Sequence, residues 1–460
     1  MHLRRQDGLM QRKLPLYAIM SLLVASLFIL PAYTQLADNP WPMFLGDAQH
    51  TGRSLYPGPS GRILAWSYAT GIVHNESVVL NSNNKAYVAG PVALFALTSM
   101  GKLAWSYGSA YMMNWAGSPA LDPDGNVYMR DTGGYDPAVY RFSSSGSLLW
   151  TYKVAGGIFS LDPDSTVYFS SDDNNLYALG SHGALGWSYA IGGSPCLYSG
   201  CQSPAIGLDG TVFICSRGES SPKLCALTST GTLAWTYNIR AGSINASPCI
   251  GPIGNIYVAA TREYPYSDSG IYCFSSSGML EWFDMSLGCY FLYSSPAVSP
   301  EGRIFLGTGG CSSGMMPPPD KICAMDSDGN LEWTYAIGNI VVSSPALGSD
   351  GTLYIGSYDN NLYAVTSSGS LLWSHTTADK TSFSPAIGAN GNLYFGSWDD
   401  KLYVFQGPPT VTPSITPTPS ITPTPPWGVV NFQPASEVPP SGYWPDDGSA
   451  FGTHGDYGWL

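Results

Sequence analysis

The side chains with which this chain could do chemistry are nine cysteines and six histidines, set among 32 acidic residues. All the cysteines, Cys196, Cys201, Cys215, Cys225, Cys249, Cys273, Cys289, Cys311 and Cys323, fall in one third of the chain. Metal ligation asks for CxxC pairs or for histidines interleaved at fixed spacing, and neither pattern occurs. Structural cysteine is the reading that remains. Cys196 and Cys201, in CLYSGC, could staple one loop. Cys215 with Cys225, and Cys311 with Cys323, each bracket a connection between neighbouring strands, so both pairs are predicted within bonding reach. The odd total leaves at least one thiol unpaired.

The histidines (His2, His50, His74, His182, His375 and His454) show no HExxH or paired spacing. DPDG at Asp122–Gly125 superficially suggests a calcium loop, but the further acidic ligands are missing and the same place holds SDG, LDG or ANG elsewhere. It reads as a turn. Among the carboxylates, Asp131, Glu219, Glu263 and Asp268 could supply the pair that glycoside hydrolysis needs, and the sequence leaves their convergence open. The chain carries a formal charge of −13, with +3 on its first 37 residues and −16 on the rest. A polyanionic partner such as nucleic acid is excluded on that balance, because counterion release needs clustered Lys and Arg.

These residues must be positioned by some element, and the element is a repeat. Leu-x-Trp recurs at Trp66, Trp105, Trp150, Trp187, Trp235, Trp282, Trp333 and Trp373, at spacings of 39, 45, 37, 48, 47, 51 and 40 residues. Within a unit such as SSPALGSDGTLYIGSYDNNLYAVTSSGSLLWSHTTA (343–378), short alternating strands are joined by tight turns, so each unit is a four-stranded antiparallel meander. That grammar predicts an all-β, eight-bladed propeller over residues 38–406. An Ala stands nine residues before most of the tryptophans and a Gly four before, as in Ala96, Gly101 and Trp105. The Trp is therefore expected to lie between blades, where only a small side chain leaves room for the ring. Arg141 and Cys273 take the Ala place in blades 2 and 5, which predicts less regular packing there. The last unit stops after three strands and GRILAWSYA (61–69) has no blade before it, so the N-terminal strand should close the ring.

The flanks differ in kind. Residues 1–37 join a basic start to the apolar LPLYAIMSLLVASLFILPAY, which reads as a signal peptide or an N-terminal membrane anchor. Residues 407–426 are a Pro/Thr-rich linker, and 427–460 resemble the opening strands of malectin-like carbohydrate-binding modules.

The Ala-x(4)-Gly-x(3)-Trp pattern, the Ser-Pro-Ala inner strand (Ser118, Ser203, Ser295, Ser344 and Ser384 with the two residues after each) and the lead-in WPMFLGDAQHTGRS (41–54) resemble pyrroloquinoline-quinone-type β-propeller repeats. That resemblance implies either a quinone-dependent alcohol dehydrogenase or a cofactor-free binding propeller similar to the lipoprotein of the outer-membrane assembly machinery. The dehydrogenases carry an adjacent Cys-Cys disulfide and a calcium held by Glu and Asn beside an Asp. No Cys-Cys dipeptide occurs here, and no such carboxylate set maps onto defined positions. Neither quinone nor calcium is expected.

The turns that share one end stay tight: Asp124-Gly125, Asp209-Gly210 and Asp350-Gly351, then Gly146, Gly231 and Gly369. Insertions fall at the other end, in RDTGGYDPA, SRGESSPK, TREYPYSDSG and TGGCSSGMMPPPDK and in the crossovers YMMNW, SPCLYSG and GCYFLY. Their Tyr111, Trp115, Tyr135, Tyr198, Tyr264, Tyr266, Tyr290 and Phe291, beside Arg130, Arg217 and Arg262, suit recognition of a glycan or an envelope protein or peptide across blades 2 to 6. The sequence thus reads as an exported, non-catalytic binding propeller of a bacterial surface or periplasm. Its rivals are a quinone-type oxidoreductase and a structural envelope-assembly scaffold.

Overall fold

The computed structural model describes residues 39–71, 77–91, 93–108, 117–131, 137–192, 196–197, 200–216, 222–240, 243–261, 270–287, 293–309, 320–408, 429–431 and 443–445. The chain divides into two compact units, Met1–Pro408 and Pro409–Leu460. In the second, Val429–Asn431 pairs in parallel with Tyr443–Pro445.

The first unit is an eight-bladed propeller, and each blade is a four-stranded antiparallel sheet. Blades 1 to 7 span residues 79–108, 120–152, 156–190, 205–238, 249–284, 297–336 and 346–376; blade 8 combines 386–405 with Leu64–Ala69. Alternation drives each blade. In Leu353–Gly356, Asn361–Val365 and Leu371–Thr376, the small Ala364 stands between Tyr354 and Trp373 across the ladder. Second and third strands are buried on both faces because neighbouring blades cover them, whereas outer strands show one face to solvent. Closure runs as the sequence requires: the N-terminal strand completes the last blade, with Trp66 opposite Val404 and Tyr68 opposite Leu402.

The tryptophans hold blade to blade. Each indole N–H donates to a turn carbonyl of the next blade: Trp66 to Ser99, Trp105 to Ser144 and Trp235 to Ser276 at 3.0 Å, and Trp187 to Ser229 at 2.8 Å. Trp150, Trp282 and Trp333 reach Ser181, Ser327 and Ser367 at 2.9 Å. The turn glycine beneath each ring has a positive φ, and a Cβ there would meet the indole, at 2.6 Å for Gly101 under Trp66 and 2.5 Å for Gly231 under Trp187. The Ala and Gly positions are thus two requirements of one joint.

Blades 2 and 5 keep this joint, against the expected irregularity. Arg141 occupies the Ala place opposite Trp150, and its guanidinium pairs with buried Asp122 and donates to Ser181 O at 2.8 Å. It also lies over the Tyr128 ring at 5.4 Å, so the long side chain is absorbed by a neutralised, stacked site rather than by displacing the Trp. Cys273 sits opposite Trp282, whose indole still reaches Ser327 O at 2.9 Å.

Candidate functional site

The centre of the ring is occupied by the chain itself. Residues 39–54 run around the inside of the inner strands in the order of the blades. Their carbonyls take the N–H of the second inner-strand residue: Trp41 O from Leu80 (2.8 Å), Pro42 O from Leu121 (2.7 Å), Ala48 O from Ile206 (2.7 Å) and Gln49 O from Ile250 (2.8 Å). Thr51 O takes Val298 N–H at 2.9 Å and Gly52 O takes Leu347 N–H at 2.7 Å. Because those residues lead directly into the tight first-to-second turns, the segment closes the channel at the tight-turn end. Asn39 ties its start to two such turns, accepting from Ser82 N at 3.0 Å and donating to Asp122 O at 3.3 Å.

Above this plug lies a ring of serines, which explains the Ser-Pro-Ala motif. The backbone N–H of Ser203 donates to Ser247 Oγ, Ser247 to Ser295, Ser295 to Ser344 and Ser344 to Ser384, each at 2.9 or 3.0 Å. Ser77 reaches Ser118 in the same way at 2.9 Å. Proline follows because its missing N–H has no partner to satisfy. Blade 3 breaks the pattern: Ile158 takes the serine place, and Phe44 and Leu45 of the plug pack on it. Ser160 there meets His50 Nε2 at 2.9 Å, while His50 Nδ1 faces Pro248 O at 3.0 Å. A carbonyl only accepts, so Nδ1 carries the proton and Nε2 accepts from Ser160. The ring is fully buried and neutral, and desolvation pushes its pKa down to about 4.

The loop face is the other end. Of the residues expected to form a binding surface there, Tyr111, Trp115, Tyr135, Tyr198, Arg217, Arg262, Tyr264, Tyr266, Tyr290 and Phe291 lie outside the residues whose side chains are described. Arg130 is described, and it is buried: its guanidinium donates to Gly156 O of blade 3, across a backbone that passes at Gly117. It joins two blades. Asp131 is buried beside it, whereas Glu219, Glu263 and Asp268 lie outside the described residues. Among the described residues no three His, Cys, Asp or Glu side chains are grouped as metal ligands.

Blades 7 and 8 carry a loop-face cluster that the sequence reading passed over. Lys380, in the crossover between them, holds its ammonium 3.6 Å from the Trp398 ring centre and 4.8 Å from that of Tyr358. The two rings meet edge to face, and Trp398 Nε1 donates to Ser382 Oγ at 2.8 Å. Tyr363 and Tyr403 donate to Asp359 and Asp399 at 2.6 Å and brace the two hairpins beneath.

The expected disulfides between the second and third strands do not form. Cys215 pairs with Leu224 and Cys225 with Ile214, so the two thiols are one register step apart and point to opposite faces of the sheet. They enter different interblade cores, one with Ile244 and Ile250, the other with Ile214 and Val167. Cys323 is likewise free and buried, its Sγ 3.6 Å from Leu306 O, while Cys311 lies outside the described residues. Cys196 and Cys201 stand directly opposite in a two-residue antiparallel pair, and their side chains lie outside the described set. Burial raises the thiols of Cys215 and Cys249 well above the ordinary range, and those of Cys273 and Cys323 to about 12.

The family model described as outer membrane protein assembly factor BamB matches residues 88–264 and 267–408. The chain belongs to this family. Among solved structures, BamB from Moraxella catarrhalis is similar at 16% identity, with 75% of this chain and 100% of that chain covered and a TM-score of 0.59. The Dos1 propeller is similar at 11% identity, covering 76% and 96%, also with a TM-score of 0.59. A europium-containing methanol dehydrogenase matches at 16% identity over 80% and 98%, with a TM-score of 0.46. No curated protein matches significantly. Membership of the BamB family agrees with the resemblance drawn from the Trp, Gly and Ser-Pro-Ala positions.

The plug is the main feature that sequence reasoning missed. Its signals were the lead-in WPMFLGDAQHTGRS (41–54), read only for family resemblance, and the apolar run Trp41 to Leu45 before the first strand, where a linker would be polar. Among the described residues no helix is long and apolar enough to cross a membrane, and residues 14–33 lie outside that set.

Proposed function

We propose that the chain works outside the cytoplasm, at an envelope or cell surface, as a non-catalytic propeller that presents its loop face to a protein partner, with an envelope glycan as the second ligand class. The observation that carries this reading is the asymmetry of the two ends. The tight-turn end is sealed by residues 39–54, bonded to the inner strands of six blades at 2.7–2.9 Å, and its turns have no length to spare. The long connections of the sequence belong to the opposite end, and their composition is rich in Tyr and Trp, residues that give contact area at small entropic cost. The family description, an outer membrane protein assembly factor, supports placing protein ahead of glycan.

Photo-crosslinking tests the assignment. A crosslinker at position 115, 264 or 358 should capture one discrete envelope component, and W115A/Y264A/Y290A should abolish capture without lowering the cooperative melt. Crosslinkers at Ser229 and Asp350, exposed on the tight-turn face, should capture nothing. Equal capture from both faces would sink the face assignment, and stoichiometric quinone uptake with dye-linked alcohol oxidation would sink the non-catalytic reading.

A further inference from the structure

We propose that the propeller ring is a receptor for a peptide that winds around its channel, filled in this chain by its own residues 39–54. This inference concerns the channel rather than the loop face and does not depend on which partner that face takes.

The argument begins with edges. The inner strands of blades 1, 2, 4, 5, 6 and 7 are two residues long, Val79–Leu80, Ala120–Leu121, Ala205–Ile206, Cys249–Ile250, Ala297–Val298 and Ala346–Leu347. Each turns an edge toward the channel, and an unpaired edge is a template for another strand. In every one of them the N–H of the second residue is buried and is satisfied by a carbonyl of the same passing segment. The propeller repeats one donor around a circle, and the segment supplies acceptors at Trp41, Pro42, Ala48, Gln49, Thr51 and Gly52 in blade order. One backbone bond per blade means that the ring reads the main chain first.

Side chains add selectivity at set places. Trp41 is fully buried in the core that joins blades 7, 8 and 1, and Met43 enters the core of blades 2 to 4. His50 is read by Ser160 and Pro248. Gly52 has no room for a side chain, since a Cβ would stand 2.7 Å from that of Ala297 and 2.8 Å from Pro345 O. Leu45 and His50 hold φ of 56° and 58°, a conformation ordinary residues avoid unless their surroundings impose it. The ring imposes the shape; the segment's internal backbone bonds are few, at Gly46, His50 and Gly52.

The segment is also separable. Between it and the closing strand Leu64–Ala69, Leu55, Pro57 and Ser60 are exposed, and nothing lies within 4 Å of a Cβ at Gly61. A protease site inserted between Ser60 and Gly61 of the full chain therefore cuts outside the channel, and leaves Pro59, the acceptor for Trp373 and Tyr354, on the N-terminal fragment.

After cleavage the N-terminal fragment should remain with the ring through gel filtration. Partial release in mild denaturant, followed by dilution into labelled synthetic peptide 38–60, should load one label per ring, whereas uncut protein should take up none. Peptides carrying Gly52→Ala or Trp41→Ala should bind at least tenfold more weakly, and a scrambled peptide should not bind. The proposal fails if the fragment leaves on cleavage and the ring melts unchanged, or if the emptied ring binds scrambled and native peptides alike. Should the emptied ring unfold, residues 61–460 are co-expressed with a separately encoded 38–60. Soluble one-to-one complex only with the native peptide supports the receptor, and equal insolubility with native and scrambled peptide overturns it.

Discussion

The indole nitrogen of Trp373 donates to the carbonyl of Pro59 at 3.0 Å, joining positions 314 residues apart. Seven other tryptophans reach the third-to-fourth turn of the next blade, but blade 8 takes its outer strand from the N-terminus and has no such turn. The lead-in to that strand stands in for it, and Tyr354 Oη donates to the same carbonyl at 3.0 Å. Ring closure therefore uses the ordinary interblade joint with a substituted acceptor.

W373F keeps the ring's area and loses one N–H donor, so it should cost about 1 kcal/mol. W373A also loses the aromatic packing against Phe405 and Tyr354 and should cost about 3–5 kcal/mol. Urea unfolding followed by tryptophan fluorescence reads both. A W373A protein as stable as the parent would show that this joint does not hold the ring shut.

His50 makes the plug sensitive to acid. Its folded pKa is pushed to about 4 from an ordinary value near 6.5, because charging it would strand a cation among buried neutral groups. In the unfolded chain it binds its proton at the higher value, so the unfolded state gains protons first as pH falls. Stability contributed by neutral His50 is complete above pH 6.5 and is lost as pH drops through 4, by about 3 kcal/mol in all. Asp47 and Asp162 work in the opposite sense: burial raises both carboxyls, Asp162 to about 7, and that stabilises the fold at lower pH. The readout is therefore the difference between parent and H50Q melts from pH 7.5 to 4. That difference should shrink or invert on acidification, and a pH-independent difference would rule out the titration.

The propeller was legible because its signals are local and repeated. Trp, Gly and Ala recur at fixed offsets inside one hairpin, and closure follows from a unit short of one strand. The plug was not, since its contacts lie 40 to 300 residues away and its own sequence has no period; Trp41 meets Leu80, and Gly52 meets Leu347. Arg141 was legible as a departure but not as a solution, because its carboxylate partner Asp122 sits in the first-to-second turn of the blade, 19 residues back. The Cys215–Cys225 pairing failed on a single register step: each lies opposite the neighbour of the other, which spacing alone does not reveal.

That register makes a chemical prediction. Cys215, Cys225, Cys249, Cys273 and Cys323 are buried, free and, through desolvation, poor thiolates. Iodoacetamide at pH 8 should leave all five unmodified in native protein and alkylate them in guanidinium. Peptide mapping that recovers a Cys215–Cys225 disulfide would contradict the structure.

Glycine substitutions separate backbone strain from the interblade joint. Gly231 and Gly254 both hold a left-handed backbone, with φ of +81° and +83°. Around Gly254 there is open space, so G254A should cost only the conformational strain, about 1 kcal/mol. Around Gly231 a methyl group would stand 2.5 Å from Trp187 Cδ2, so G231A must also push the indole away from Ser229 O, its acceptor at 2.8 Å. That loss adds an overpacking cost of about 1–3 kcal/mol. Because each joint involves only neighbouring blades, G101A, G146A and G278A should resemble G231A in size. Equal costs for G254A and G231A would mean that the tryptophan joint yields freely, and the account of how one blade grips the next would have to be abandoned.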